Sequence, residues 1–280
     1  MDQASLESCL ADLYLPAIRF FETIDSTNDE AWRWMDAGAP HGALVVADEQ
    51  IAGRGRLQRR WMTVAGGGLA FSLVLLSPPL EAANISRLTG LGALAACLAL
   101  QELYKLPAII KWPNDILLRD RKAGGVLAEA RWSGGDLRAA VIGIGINIAS
   151  ESINPANLPA DGLNFPVTCV ENALGQPVER MTLLHTILQE FYNWLPSLAS
   201  GKFIKAWEDN LAYRGQWVEL SPVAPNPSAY QSADTSGSLL GKVIGLTSDG
   251  ALHVLNQSGR ELSILMGEIH LRPSLAPPRG

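Results

Sequence analysis

Between Val141 and Asn147 the chain reads VIGIGIN, a run that leaves the backbone little choice. Side chains alternate across a strand, so Ile142, Ile144 and Ile146 fall on one face and Gly143, Gly145 and Asn147 on the other. The isoleucine face fills a core. The other face is bare, and two uses fit it equally: the floor of a flat apolar slot with an amide at its end, or a seat for a tightly packed helix.

The surrounding segments predict the sheet to which this strand belongs. GALVVADEQ reads as a strand feeding an arginine-rich loop, and GLAFSLVLL as the strand after it. AIIKW, DILLRD and KAGGVLAEARW precede the closing run DLRAAVIGIGINI. STNDEAWRWMDAG reads as a capped helix, with Thr27 and Glu30 at capping-box spacing and Gly38 then Pro40 as the stop. NISRLTGLGALAACLALQELYK reads as a buried helix, residues 150–176 as loop with a short helix, and TLLHTILQEFYNWLPSLAS and FIKAWEDNLAYRG as two more helices. After Gln216 short β segments with Asp249-Gly250 and Ser258-Gly259 turns take over. The order predicts an α+β fold: a mixed β-sheet with helices packed on one face over residues 1–212, and a small all-β domain over 213–280. The insertion Pro222 to Ser236 interrupts that second domain, and Gly66 to Gly68 predict a mobile loop.

A formal net charge of −6, with no basic stripe or tail, argues against broad binding to DNA. Three dispersed cysteines, Cys9, Cys97 and Cys169, suggest neither a disulfide framework nor a zinc site, and fit a reducing cytoplasm. The N-terminus lacks a signal-peptide pattern, and the uncharged run Leu88 to Gln101 is shorter than the ~18 residues of a membrane span. His41, His185, His253 and His270 form no metal-ligand spacing, so no metal cage is expected.

Three further clusters bear on chemistry. GRGRLQRRW places Arg54, Arg56, Arg59 and Arg60 beside Gly53 and Gly55; guanidinium groups grip phosphate or carboxylate, though a solvated basic turn explains the same residues. It is not a dinucleotide fingerprint, and no Gly-Lys-Ser/Thr makes a P-loop. KWPND puts Lys111, Asn114 and Asp115 at one strand end, where an ordinary β-turn is the alternative. In KAGGVLAEA, Gly124 and Gly125 permit close approach of a ligand under Lys122, or mark a bulge.

Taken in order, STN at Ser26 to Asn28, EQIAGRGRLQRRW ending at Trp61, KWPND, KAGGVLAE and GIGIN resemble the successive signatures of the biotin protein ligases, and GEIHLRP, Gly267 to Pro273, resembles their closing motif. The resemblance implies a catalytic domain like that of class II aminoacyl-tRNA synthetases, with an SH3-like β-barrel after it. It implies that biotin and ATP, accompanied by Mg2+, give biotinyl-5'-AMP, and that biotin then passes to a lysine of the biotin carboxyl carrier protein of acetyl-CoA carboxylase.

By the same resemblance Lys122, Asp115, Arg54 and Lys111 are catalytic, with Asp115 orienting or helping to deprotonate the acceptor lysine. Ser26, Thr27, Asn28, Gln50, Gly53, Arg54, Arg56, Lys122, Gly125, Gly143 and Gly145 hold biotin. Arg56, Arg59, Arg60, Trp61, Lys111, Asn114, Asn147, Glu268 and Arg272 hold the nucleotide, with Trp61 near the adenine. Gly53 and Gly55 are expected to free the arginine loop to close over the ligand.

About twenty-five residues precede STN, too few for a winged helix, so a monofunctional ligase is expected rather than a DNA-binding regulator. A lipoate or octanoate transferase would lack the Gly-Arg-Gly-Arg and Lys-Trp-Pro-Asn-Asp pair. Intact Arg54, Lys122 and Asp115 argue against an idle biotin-binding protein. Monomer and homodimer are both compatible with the sequence, and no membrane partner is expected.

Overall fold

In the computed structural model, which describes residues 1–13, 15–77, 86–134, 136–154, 165–222, 239–265 and 269–273, the strands form two sheets. The larger has seven strands: β1 (Ile18–Ile24), β2 (Leu44–Gln50), β3 (Gly68–Leu76), β4 (Ala108–Lys111), β5 (Asp115–Leu118), β6 (Arg121–Ser133) and β7 (Asp136–Asn147). Their spatial order is β1-β2-β3-β7-β6-β5-β4, with β1 parallel to β2 and the other pairs antiparallel. The smaller is antiparallel, with β8 (Trp217–Pro222), β9 (Leu239–Leu246), β10 (Leu252–Asn256), β11 (Glu261–Ile264) and β12 (Ile269–Pro273) in the order β11-β10-β9-β8-β12.

The isoleucine face of β7 does fill the core. Ile142, Ile144 and Ile146 join Phe71, Leu73 and Val126 beneath a helix that covers the sheet. That helix, Ser86–Tyr104, is apolar almost all round because it is covered on nearly every side. Its glycines allow the contact: a Cβ on Gly92 would lie 2.9 Å from Val126 Cγ1, and one on Gly90 would lie 2.5 Å from the Trp207 ring. In chain order the helices are α1 (Gln3–Cys9), α2 (Thr27–Asp36), α3 (Ser86–Tyr104), α4 (Val170–Leu174), α5 (Arg180–Trp194) and α6 (Gly201–Asp209). The α+β expectation therefore holds, with one addition. Helix α2 packs on the opposite face, where Ala31 meets Val45, Val74 and Val141.

Three local expectations are corrected. The cap of α2 is Ser26, whose hydroxyl accepts from Asp29 N, so Thr27 is a helical residue and is free to bond elsewhere. Helix α1 and strand β1 lie in the residues before STN, to which the sequence reading assigned no element; β1 is an edge strand, half-buried for most of its length, and so lacks a clean alternation. Of the three glycines expected to loosen their loop, Gly66 makes a turn at φ +73, while Cβ atoms on Gly67 and Gly68 would meet Val64 at 2.5 Å and Thr63 at 2.8 Å. They serve close packing. Most of the insertion, residues 223–236, lies outside the described residues.

Candidate active site

Strand register assembles the site from one row of residues. Ala47 pairs with Ala70, Ala70 with Gly145, Gly145 with Gly125, Gly125 with Asp115, and Asp115 with Lys111. Paired residues share a face, so four strands lay down a floor of small side chains, and two more end it in two charges. The bare face of β7 is the middle of this floor.

Two side chains stand on it. A Cβ on Gly143 would lie 2.0 Å from Asn28 Oδ1, and one on Gly145 would lie 2.4 Å from Trp61 Nε1. Both sequence-level uses of the glycines are therefore partly realised: α2 packs against Gly143 through Asn28, and Gly145 carries an aromatic ring from the arginine loop.

At the neutral end lies a buried polar cluster. Thr27 N and Oγ1 both donate to Gln50 Oε1, at 2.8 and 3.0 Å, and Gln50 Nε2 donates to Thr63 Oγ1 at 3.2 Å. Ser72 Oγ lies 2.7 Å from Asn28 Oδ1 and 2.8 Å from Thr27 Oγ1; with a single proton it must share its donation. Asn28 Nδ2 donates to Glu129 Oε2 at 2.9 Å. Amides and hydroxyls held so firmly present fixed donors and acceptors to a neutral polar ring.

At the charged end, Lys122 Nζ lies 2.5 Å from Asp115 Oδ1 and Lys111 Nζ 3.6 Å from Asp115 Oδ2. Burial pushes the Asp115 carboxyl up, but Lys122, Lys111 and Arg56 outweigh it and hold the group below the usual carboxylate range. Burial pulls the Lys111 ammonium down, and Asp115 resists that pull. Lys111 also lies over the Phe165 ring at 4.4 Å, and Lys122 over Trp61 at 5.6 Å. Arg56 donates to Asn114 Oδ1 at 3.0 Å, and Asn114 Nδ2 to Val126 O at 3.2 Å, which ties the arginine loop to the KWPND turn.

The arginine loop is itself a small hairpin. Trp61 N donates to Gly53 O, Arg54 bridges Arg60, and Gly55 N donates to Arg59 O. Its glycines differ from the expectation. A Cβ on Gly53 would lie 2.2 Å from Trp61 O, so Gly53 is required by close approach, whereas Gly55 has φ −113, open to any residue. Arg54, expected among the catalytic and biotin-holding residues, is gripped by carboxylates: it donates to Glu129 Oε1 at 2.7 Å and to Asp29 Oδ1 at 2.7 Å. Glu129 first and Asp29 second raise its pKa, against the opposing effect of burial.

The remaining expected residues are less central. Arg59 and Arg60 are exposed on the rim, with Arg60 Nη2 donating to Ile51 O at 3.1 Å. Ser26 spends its hydroxyl on the helix cap, and Asn147 Nδ2 donates to Thr168 O at 3.2 Å. Glu268 lies outside the described residues, and Arg272 is placed by its backbone alone, paired with Glu219. Sequence reading missed Ala47, Ala70, Ser72 and Glu129. Parity offered a signal for the last, since Glu129 lies two steps of two beyond Gly125 and so shares its face.

Fold and site together define a mixed sheet on one face of which a small-residue floor runs between a buried neutral polar cluster and a cluster of charges. Residues 20–147 match the biotin/lipoate A/B protein ligase family. The biotin--[acetyl-CoA-carboxylase] ligase of Paracoccus denitrificans is 34% identical over 77% of this chain and 90% of its own. The bifunctional ligase/repressor BirA of Bacillus subtilis is 30% identical over 86% of this chain and 70% of its own. Among solved structures, the biotin protein ligase from Aquifex aeolicus in complex with biotin and ATP aligns with a TM-score of 0.73 at 29% identity, covering 92% of this chain and all of that one. The chain belongs to the biotin/lipoate A/B protein ligase family, and within it to the biotin protein ligases. No helix among the described residues is long and apolar enough to cross a membrane.

Proposed function

We propose that the chain activates biotin with ATP as biotinyl-5'-AMP and transfers it to a lysine of the biotin carboxyl carrier protein of acetyl-CoA carboxylase. One observation carries the reading: a single row of paired residues runs from a small-residue floor to the Asp115–Lys111 charges, with the buried Thr27, Asn28 and Gln50 cluster beside the floor. That arrangement suits a ureido ring at one end and a carboxylate at the other. The biotin and ATP bound by the Aquifex relative, and the acceptor in the name of the Paracoccus relative, support it. Residues 1–212 as catalytic domain and 213–280 as SH3-like domain belong to the same proposal, as does a monofunctional role without DNA recognition, supported by the net charge of −6.

In the first step a biotin carboxylate oxygen bonds to the α-phosphorus, and pyrophosphate leaves with the bonding electron pair. Lys122, Lys111 and Arg56 offset the charge that builds on the phosphoryl oxygens. In the second step a neutral amine attacks the acyl carbon, AMP departs with the electron pair of the broken acyl–oxygen bond, and the nitrogen gives up its extra proton to solvent. Asp115, held below the usual carboxylate range, is a weak base near neutrality, so orienting the incoming ammonium and holding both lysines is the part of its expected role that the geometry supports. Mg2+ would come with the triphosphate. Asp115 is committed to lysines and Glu129 to Arg54, so these carboxylates offer the ion no cage, and its ligands would be phosphate oxygens and water.

Biotin-dependent exchange of labelled pyrophosphate into ATP tests the reading on wild type and Lys122→Ala. Exchange that needs biotin and falls at least roughly a hundredfold in the variant supports it. No exchange by folded wild type overturns it, and exchange with lipoate in place of biotin reassigns the floor.

A further inference from the structure

We infer that Trp112 is a positioning residue for the reaction, through which the C-terminal sheet holds Lys111 in place; the inference rests on the adenylation reading above. Trp112 lies in the turn between Lys111, at the end of β4, and Asp115, at the start of β5, and is only 3% exposed. Its indole Nε1 donates to Gly250 O at 3.1 Å. Gly250 belongs to the turn between β9 and β10, and the two carbonyls before it are taken in the same way. Ser86 Oγ donates to Asp249 O at 2.6 Å, and Arg87 Nη2 donates to Ser248 O. Three consecutive carbonyls of one small-sheet turn thus meet three donors from the large sheet and its covering helix.

The turn is built to carry this load. Thr247 N donates to Ala251 O at 2.9 Å, Ala251 N donates to Thr247 Oγ1 at 3.0 Å, and Gly250 N donates to Thr247 O at 2.9 Å. Gly250 has φ +84, and a Cβ there would lie 2.8 Å from the Trp207 ring, so the backbone approaches as nearly as glycine allows.

Strand β4 needs such support. It is four residues long and lies at the end of the sheet order, with β5 on one side. Its other edge is bonded by the chain leaving α6: Ile110 N donates to Asn210 O at 2.8 Å and Ala212 N to Ile110 O at 2.9 Å. Edge pairing fixes the height of β4, and Trp112 fixes the turn that sets Lys111 against Asp115. Lys111 is the more loosely held of the two lysines, at 3.6 Å against 2.5 Å for Lys122, so a small displacement of the turn bears on it first.

The test is a double-mutant cycle in biotin-dependent pyrophosphate exchange on the full chain, with Trp112→Phe and Lys111→Ala. Phenylalanine keeps the buried ring and removes the N–H. Trp112→Phe is expected to lower kcat roughly fivefold with KM for biotin little changed, and to have no further effect in the Lys111→Ala background. Ser86→Ala removes a bond to the same turn away from Lys111 and should stay within about twofold of wild type. Thr247→Val, which loosens the turn from its far side, should reproduce the kcat effect and covers the case in which Trp112→Phe does not fold. Losses that add independently of Lys111, or an equal loss in Ser86→Ala, overturn the inference. Failure of wild type to exchange refutes the adenylation reading instead.

Discussion

Replacing Gly143 by alanine puts a methyl group where the Asn28 amide already lies. The new Cβ would be 2.0 Å from Asn28 Oδ1 and 2.9 Å from its Cγ, so the amide must retreat by roughly 1.4 Å to reach ordinary contact. It is not free to do so, because Ser72 Oγ holds Oδ1 at 2.7 Å and Glu129 Oε2 holds Nδ2 at 2.9 Å. Each buried bond abandoned costs about 1–3 kcal/mol, and relaxation recovers part of that, which leaves roughly 2–4 kcal/mol for the pair. The loss is shared between folding and ligand binding. If all of it fell on biotin kcat/KM, the factor would be roughly 30 to 700. Urea denaturation and biotin-dependent pyrophosphate exchange measure the two shares. The decisive comparison is the cycle with Asn28→Ala, which removes the clashing amide: Gly143→Ala should then cost less than about 1 kcal/mol. An equal cost with and without the Asn28 side chain would refute the claim that this glycine exists to admit Asn28.

Two further outcomes follow from the same geometry. Burial depresses the Lys111 pKa below its ordinary value and Asp115 raises it back, so Asp115→Asn must depress it further. Lys111 is charged below its folded pKa and loses the proton as pH rises through it, so the alkaline limb of the exchange rate moves to lower pH in Asp115→Asn; an unmoved limb refutes the coupling. In the core, Gly90→Ala would bring a Cβ within 2.5 Å of the Trp207 ring, and should destabilise the fold by about 1–3 kcal/mol with pyrophosphate exchange retained. An unchanged urea midpoint would show that Trp207 repacks freely.

Much of the site was legible before any fold existed, because motifs record chemistry in short stretches. Lys111, Asn114 and Asp115 share one five-residue turn, and the parity of VIGIGIN assigned Gly143 and Gly145 to a bare face. What stood on that face was not legible. Asn28 and Trp61 reach it from a helix and a hairpin far away in sequence, and nothing local says which of several polar residues will arrive. The arginine loop shows the same limit. The sequence left the four arginines open between ligand contacts and a solvated basic turn, and only the tertiary structure pairs Arg54 with Glu129 and Asp29 and Arg60 with a backbone carbonyl.

Local sequence determined which residues alternate, which segments form strands, and that glycine must occur at certain places, since periodicity and backbone sterics act over a few residues. Register did not follow from it. That Ala47, Ala70, Gly145, Gly125, Asp115 and Lys111 form one row across six strands depends on hydrogen-bonded pairing between residues up to 75 positions apart in the chain, from Ala70 to Gly145. Pairing of that kind is decided by the whole core at once, because a shift of one residue in any strand would turn its small side chains away from the floor and its isoleucines toward it.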